Sequence, residues 1–509
     1  MNLLFPLSPL LVVGFGALLL MLTEAFGKPQ VSVGAADGRV VDAGAGRSGE
    51  LALGASVVLF AGVVFSVAVW IVGPENLPEL KLVEPWLILD RTALFMSAVL
   101  CLGGALSALL AGGYLKEHNI DRGEFYPLLI LATFGSQVLA ASGDVLSLFI
   151  GLETMSLGVY TLVGLRRGSP RAAEAALKYF LLGSFAAALL LFGAALLYGA
   201  TAHTDLKGIG DAIASIGQPD STVNAGVIML GLVLILSGLA FKISAVPFHM
   251  WTPDAYEGAP TPTTTFMAVA VKTAAFAVLM RVLLTSFGDS RLLSWGTGWP
   301  PVLGLLSVVT MTVANAIAGR QESVKRMLAY SSIAHAGYVL IGLVATMRAP
   351  EVGQASVMFY LLTYTVGTAG AFGALILCGS RGAEAVSYED LAGLGKRHPA
   401  AALAFTLFLL SLMGLPPTAG FFGKLYVFRA AIDSELYALV VIGLLNSLLA
   451  AYYYLRVIVF MYFREPAPGA AVATPMRSGL VNGALVIAAF LVLALGVAPG
   501  TPLAMALTH

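Results

Sequence analysis

Fourteen runs of about twenty apolar residues, separated by polar connections, restrict what this chain can fold into more than any other feature. They cover 4–25, 51–72, 92–113, 125–142, 145–165, 173–199, 225–249, 262–286, 301–319, 325–347, 354–379, 400–430, 436–463 and 479–498. A run of that length crosses the ~30 Å hydrocarbon core of a bilayer as a helix. Amide groups in lipid have no water to bond, so these runs must satisfy their own backbones as helices. The predicted fold class is an all-α polytopic membrane protein with about fourteen transmembrane helices.

Composition excludes several function classes. The chain is 58% hydrophobic and 11% charged, with a mean hydropathy of +0.89, whereas soluble domains carry about 25% charged residues. A formal net charge of zero argues against nucleic acid as a partner and leaves the lipid bilayer as the chain's surroundings. Cys101 and Cys378 lie in separate apolar runs with no partner at ligand spacing. They cannot build an iron–sulfur site, a zinc site or a CxxC pair, and read as small core residues. GFG at 14–16 is a loose glycine pair, not a dinucleotide fingerprint, and P-loop, nucleophile-elbow and metal-binding-helix motifs are missing. We expect no bound cofactor, no metal and no redox or hydrolytic chemistry in this chain. The N-terminal MNLLFPLSPLLVV lacks the basic segment of a cleavable signal and reads as a retained first span.

Charge placement is the next most informative feature. With residues at run ends, Lys325, Arg326 and Arg281 among them, counted to the neighbouring loops, alternate connections carry 16 and 7 basic residues. The positive-inside bias then puts both termini on the non-cytoplasmic side. The Gly-, Ala- and Ser-rich loop over 27–50 reads as a mobile linker. The loop over 381–399, of mixed charge, reads as a short helix along the surface.

Five basic residues remain inside the runs: Lys178, Lys242, Lys272, Lys424 and Arg456, with Glu153 the one clear mid-run acid. An ammonium at mid-membrane costs at least ~2.5 kcal/mol, so such residues point to a charge pathway. Lys242 precedes Pro247 by five residues and His249 by seven, which puts lysine and histidine on one helix face beside a break. Lys272 lies about ten residues into its run, too deep to snorkel. Lys424 follows Pro417 by seven residues, beside a second break in MGLPPTAGFFGK. Glu153 needs a basic partner or a proton, and Lys242 is the partner we expect. Lys178 is balanced by position alone between snorkelling and function. Arg456, among tyrosines, reads as interfacial, His335 as either a proton relay or a bonded core residue, and Asp254 and Glu257 as solvated or capping turn residues.

A shift of 178 residues lays LETMSLGVYTLVGL (152–165) over YSSIAHAGYVLIGL (330–343), five runs apart and therefore oppositely directed. The expected organisation is an N-terminal group of three helices (1–124), two inverted five-helix repeats (125–286 and 301–463), each containing a discontinuous helix, and a last helix (479–509). Paired interrupted helices of this kind mark the substrate path of many transporters.

Four segments, ALKYFLLGSF (176–185), GLAFKISAVPFHMWTPDAYEGAPTPTTTFMA (238–268), ESVKRMLAYSSIAHAGY (322–338) and GLPPTAGFFGKLYVF (414–428), carry a resemblance that covers nearly the whole chain. It resembles the antiporter-like subunits of respiratory complex I (NADH-quinone oxidoreductase) and of multisubunit cation/proton antiporters. ALKYFLLGSF, the lysine at 424 and the modest length look like the N-type branch of complex I; a cation/proton antiporter subunit is the alternative. The resemblance implies proton translocation in a bacterial inner membrane, with Glu153, Lys178, Lys242, Lys272 and Lys424 as the working residues. It also implies neighbouring membrane subunits as partners, and NADH, FMN, iron–sulfur clusters and quinone held by partner subunits. Protons are then expected to load Lys272 through water and His249 and to pass toward Lys424.

Overall fold

The structure, a computed structural model, describes residues 3–26, 48–120, 122–219, 221–379, 384–466 and 473–507. The linker expected over 27–50 lies, as far as residue 47, outside the described residues. Six long helices open the fold: α1 (Ser8–Ala25), α2 (Ser48–Val72), α3 (Arg91–Glu117), α4 (Phe125–Ala140), α5 (Val145–Val163) and α6 (Pro170–Thr201). The amphipathic α7 (Leu206–Ala214) leads to α8 (Ala225–Ile243), α9 (Trp251–Gly258), α10 (Thr261–Phe266) and α11 (Lys272–Thr285). A π-helical turn over Met267–Val271 joins the last two. Then come α12 (Pro300–Ala318), α13 (Val324–Ala345), α14 (Pro350–Cys378), α15 (Leu394–Arg397), α16 (Pro399–Met413), α17 (Ala419–Asp433), α18 (Tyr437–Phe463), α19 (Gly479–Val497) and α20 (Gly500–Leu507).

Among the described residues twelve helices are long and apolar enough to cross a membrane, and α4 and α16 are shorter apolar helices. The two interrupted runs break where expected: 400–430 forms two helices, α16 and α17, and 225–249 ends as a helix at Ile243, before Pro247. The surface helix expected over 381–399 shrinks, within the described residues, to the four residues of α15.

Helix starts follow from side chains that satisfy the orphan amides of the first turn. Asp90, Asp144, Ser169, Asn224 and Ser323 each accept from a backbone N–H one to three residues into α3, α5, α6, α8 and α13. Burial sorts the helices into an inner and an outer set. Of the membrane-length window, 89% is buried in α3 and 94% in each of α10–α11, α13 and α14, against 33–39% in α1, α2, α6, α18 and α19. The inner set is therefore packed protein on all sides, and the outer set presents leucine, phenylalanine and valine outward, as a lipid-facing layer requires.

Arg281 ties this inner set to the N-terminal helices. Its two terminal nitrogens donate to the two oxygens of Asp90, each at 2.8 Å, and Nε donates to the carbonyl of Ala140 at 3.3 Å. One buried guanidinium thus joins α11, the start of α3 and the end of α4, in a bidentate geometry that a lysine cannot reproduce. Asp90 is 42% exposed, which lets water replace part of what is lost. We expect Arg281→Met to cost about 1–3 kcal/mol, read as a lower melting temperature of the purified assembly. An unchanged midpoint would show that the clamp contributes nothing.

Candidate functional site

The first break follows α8, which stops at Ser244 in the left-handed conformation (φ 63°), and the chain turns before α9. Lys242, in the last turn, is 1% exposed. Its ammonium donates to Ser156 Oγ at 2.8 Å and to Tyr160 OH at 3.2 Å, both on α5. It also lies 5.3, 5.8 and 5.8 Å from the ring centres of Tyr160, Tyr179 and Phe241. An aromatic face stabilises a desolvated cation by ~2 kcal/mol or more, so the rings add to what the two hydroxyls supply. The broken backbone is repaired by side chains: Trp251 Nε1 donates to the carbonyl of Phe241 at 3.0 Å while its ring stacks on Tyr179 at 4.2 Å.

Glu153, the expected partner of Lys242, makes no direct ion pair with it, but lies close enough to act on the ammonium through space. Among the described residues no ion pair joins the two, and Glu153 Oε1 is buried without a hydrogen-bond partner. The physical reason is register on α5. Ser156 and Tyr160, one and two turns beyond Glu153 on the same face, reach the ammonium first. Nδ1 of His249 is buried without a hydrogen-bond partner, and no direct hydrogen bond joins His249 to Lys242 or Lys272 among the described residues.

Lys178 is half-exposed and forms ion pairs with Glu174 at 2.5 Å and Asp254 at 2.9 Å. The other oxygen of Asp254 accepts from Arg326 at 2.9 Å. Asp254, read from sequence as a solvated turn residue, instead bridges α6 to α13. Glu257 receives the hydroxyl of Ser323 at 3.0 and 3.1 Å, so it supports the start of α13.

Lys272 opens α11 directly after the π-helical turn, an insertion that shifts the register of every later side chain. It is 2% exposed and donates to the carbonyl of Ser332 at 2.7 Å. From there polar groups continue along α13 and α14. Tyr364 OH donates to Ser332 Oγ at 2.8 Å, and its ring centre lies 5.0 Å from that of His335. His335 Nδ1 meets Tyr360 OH at 2.7 Å and Nε2 meets Tyr454 OH at 3.2 Å. A cavity of about 10 Å³ lies beside it, lined by His335, Tyr360, Thr363, Tyr364, Ser411 and Gly420. That is close to the smallest volume that holds one water.

The second break lies between α16 and α17, where Gly414 is left-handed (φ 89°). Lys424 follows the break in sequence, but its side chain turns back to it. The ammonium donates to the carbonyl of Met413 and to Ser447 Oγ, both at 2.8 Å, and sits 5.1 Å from the ring centre of Tyr338. Lys424 therefore places a cation at the C-terminal end of a half-helix, where carbonyls carry partial negative charge, whereas the ammonium of Lys242 is held by side chains of α5.

Two buried cations escaped the sequence reading because they sit at run ends. Arg281 is the clamp described above. Lys325, in the first turn of α13, is 1% exposed; it donates to the carbonyl of Ala259 at 2.8 Å and pairs with Glu384 at 3.2 Å. Glu384 also accepts from Thr261 at 3.1 Å. The usable signal was its neighbour Ser323, a capping residue that places Lys325 inside the helix. Arg456 behaves as an end-of-helix residue, donating to the carbonyls of Gly319 and Gln321 at 3.2 Å beneath the ring of Tyr388.

Known proteins are similar to this chain in sequence and fold. Residues 142–450, which include both breaks and all the lysines named above, match the family model described as NADH:quinone oxidoreductase/Mrp antiporter, TM. The chain is similar to NADH-quinone oxidoreductase subunit N 1 of Sorangium cellulosum (strain So ce56), 65% identical over 98% of this chain and 97% of the relative. It is 37% identical to NADH-quinone oxidoreductase subunit N of Myxococcus xanthus (strain DK1622), over 97% and 95%. A chain of respiratory complex I from Thermus thermophilus with bound aureothin superposes with a TM-score of 0.75 at 34% identity, covering 97% of this chain and 98% of that one. A chain of the Mrp complex from Dietzia sp. DQ12-45-1b shares the fold, with a TM-score of 0.80 at 23% identity over 100% and 97%. The chain belongs to the NADH:quinone oxidoreductase/Mrp antiporter membrane family, in the branch of the NADH-quinone oxidoreductase N subunits.

Proposed function

We propose that this chain is a proton-translocating membrane subunit of an NADH:quinone oxidoreductase, without a redox centre of its own. One observation carries the reading most: from Lys272, Ser332, Tyr364 and His335 lead to the small cavity at the second break, with His335 within charge range of both Lys272 and Lys424. Amines, an imidazole and phenols can each take up and release a proton, which an aliphatic core cannot. In this reading protons rise from the cytoplasmic side to Lys272, cross by way of His335 to Lys424, and leave on the other side. Both termini then face the periplasm across a bacterial inner membrane. The two oppositely directed units, 125–286 and 301–463, each contribute one break and one buried lysine beside it. The driving energy comes from electron transfer in partner subunits, which hold NADH, FMN, iron–sulfur clusters and quinone, and reaches Lys242 as a change in nearby charge.

Lys272→Met tests the path. In proteoliposomes carrying the whole assembly, NADH:quinone turnover should continue while protons moved per electron fall measurably below wild type. An unchanged ratio would remove Lys272 from the path.

A further inference from the structure

Where α14 ends and α16 and α19 begin, a hollow of about 850 Å³ opens on the surface. Both α16 and α19 pack against α14, so the hollow sits over the α14 end, with Leu377, Ala401 and Met476 in its wall. Its ionisable side chains are Arg397, His398 and Arg477, and among the described residues no carboxylate lines it. Neither arginine forms an ion pair among the described residues. Arg397 donates from one nitrogen to the carbonyl of Ala392 at 2.7 Å, and Glu465 is taken by Lys396 at 3.5 Å. The backbone adds to the same sign. α16 starts without a side-chain cap, and the carbonyl of Leu377, at the α14 end, already accepts from the amide of Met476 at 2.8 Å. What is left unmatched here is positive.

The hollow continues along one helix face. Gly479 and Asn482 of α19 line it, and Val486, Phe490 and Leu493 follow Asn482 at helical spacing. Those three are 68%, 68% and 43% exposed. From Asn482 to Leu493 the stripe is ~16 Å long at the helical rise, against ~15 Å for one leaflet of hydrocarbon. On α16, Leu403 lies one turn below the lining residue Ala400 and is 65% exposed.

A free anion would use the hollow and leave the stripe bare, and so would an acidic loop of a partner. A zwitterionic headgroup would bring its ammonium against cations, with no carboxylate to meet it. A phospholipid of net negative charge matches both parts, as basic pockets between membrane helices match anionic headgroups. We propose that this corner binds an anionic phospholipid of the phosphatidylglycerol class. Its phosphate sits against Arg397 and Arg477, and an acyl chain runs along Val486, Phe490 and Leu493. The site is separate from the lysine row and does not depend on the function proposed for that row.

The test takes the assembly that copurifies with the full chain, reconstitutes it with photoactivatable, clickable phosphatidylglycerol or phosphatidylethanolamine, and maps the labelled peptides. Phosphatidylglycerol should label α16 and α19 near Ala400 and Asn482, and phosphatidylethanolamine about tenfold less, the scale of one hydrogen bond to a charged group. Arg397→Gln combined with Arg477→Gln should remove that preference; a preference that survives takes the arginines out of the site. Should the double variant fail to assemble, competition on the unaltered chain decides. Unlabelled phosphatidylglycerol should displace the label, whereas phosphatidylethanolamine and water-soluble glycerol phosphate should not. Equal labelling of the unaltered chain by the two lipids overturns the headgroup assignment. Displacement by glycerol phosphate makes this a site for a free anion and overturns the lipid. A photocrosslinking amino acid at Asn482 that captures a neighbouring subunit instead of lipid overturns the occupant.

Discussion

Replacing Lys242 with alanine should abolish coupled pumping or cut it sharply, by ~10²-fold if the side chain is a positioned proton carrier. The expectation rests on how little else could substitute. Lys242 is 1% exposed, its ammonium is held by two hydroxyls and three aromatic rings, and among the described residues it is the one cation that contacts those rings. Lys242→Arg separates charge from proton exchange. A guanidinium stays protonated under all physiological conditions, so arginine keeps the positive charge and the rings while losing the ability to release a proton. We expect Lys242→Arg to assemble normally and still pump poorly. Pumping at wild-type stoichiometry in the alanine variant would sink the scheme. Full pumping in the arginine variant would limit the residue's role to fixed charge.

The largest structural effect is expected at Gly420→Ala. An added Cβ would lie 1.9 Å from the carbonyl oxygen of Ser411 and 2.8 Å from its carbon, both backbone atoms that cannot rotate away. The two half-helices of the second break touch at this point, so the clash forces α17 off α16 and moves Lys424 away from the carbonyl of Met413. Overpacking of a well-filled contact typically costs 1–3 kcal/mol, and a backbone contact this close belongs at the upper end. We expect little assembled complex by native electrophoresis, and none with pumping activity. Gly483→Ala, where an added Cβ meets nothing within 4 Å, should assemble as the wild type does. Normal assembly and pumping of Gly420→Ala would mean the two half-helices do not need this contact.

Much of the architecture was legible because hydrocarbon imposes simple local rules. A run of the right length has to be a helix, and a proline or a Gly-Leu-Pro-Pro sequence inside it has to interrupt the ladder. Lys242, Lys272 and Lys424 stood out for the same reason, since a buried ammonium carries a cost that can be read one residue at a time. The places where the reading failed are places where two helices meet. Glu153 and Lys242 are opposite charges on neighbouring spans, yet one or two turns of register on α5 put Ser156 and Tyr160 at the ammonium instead. Asp254 looked like a turn residue until the ends of α6 and α13 were seen to bring Lys178 and Arg326 to it. Lys325 and Arg281 were assigned to loops because depth at a run's edge depends on what packs over it.

The sequence by itself determined the helical class, the two breaks and three of the buried lysines, because each depends on the cost of placing one segment or one charge in lipid. Only the tertiary structure decided what each charge touches: the aromatic cage around Lys242, the hydroxyl and imidazole groups between Lys272 and Lys424, and the return of Lys424 to the end of α16. Those contacts join residues tens to hundreds of positions apart. They are set by helix rotation and register, which an almost uniformly apolar sequence leaves open until the helices pack.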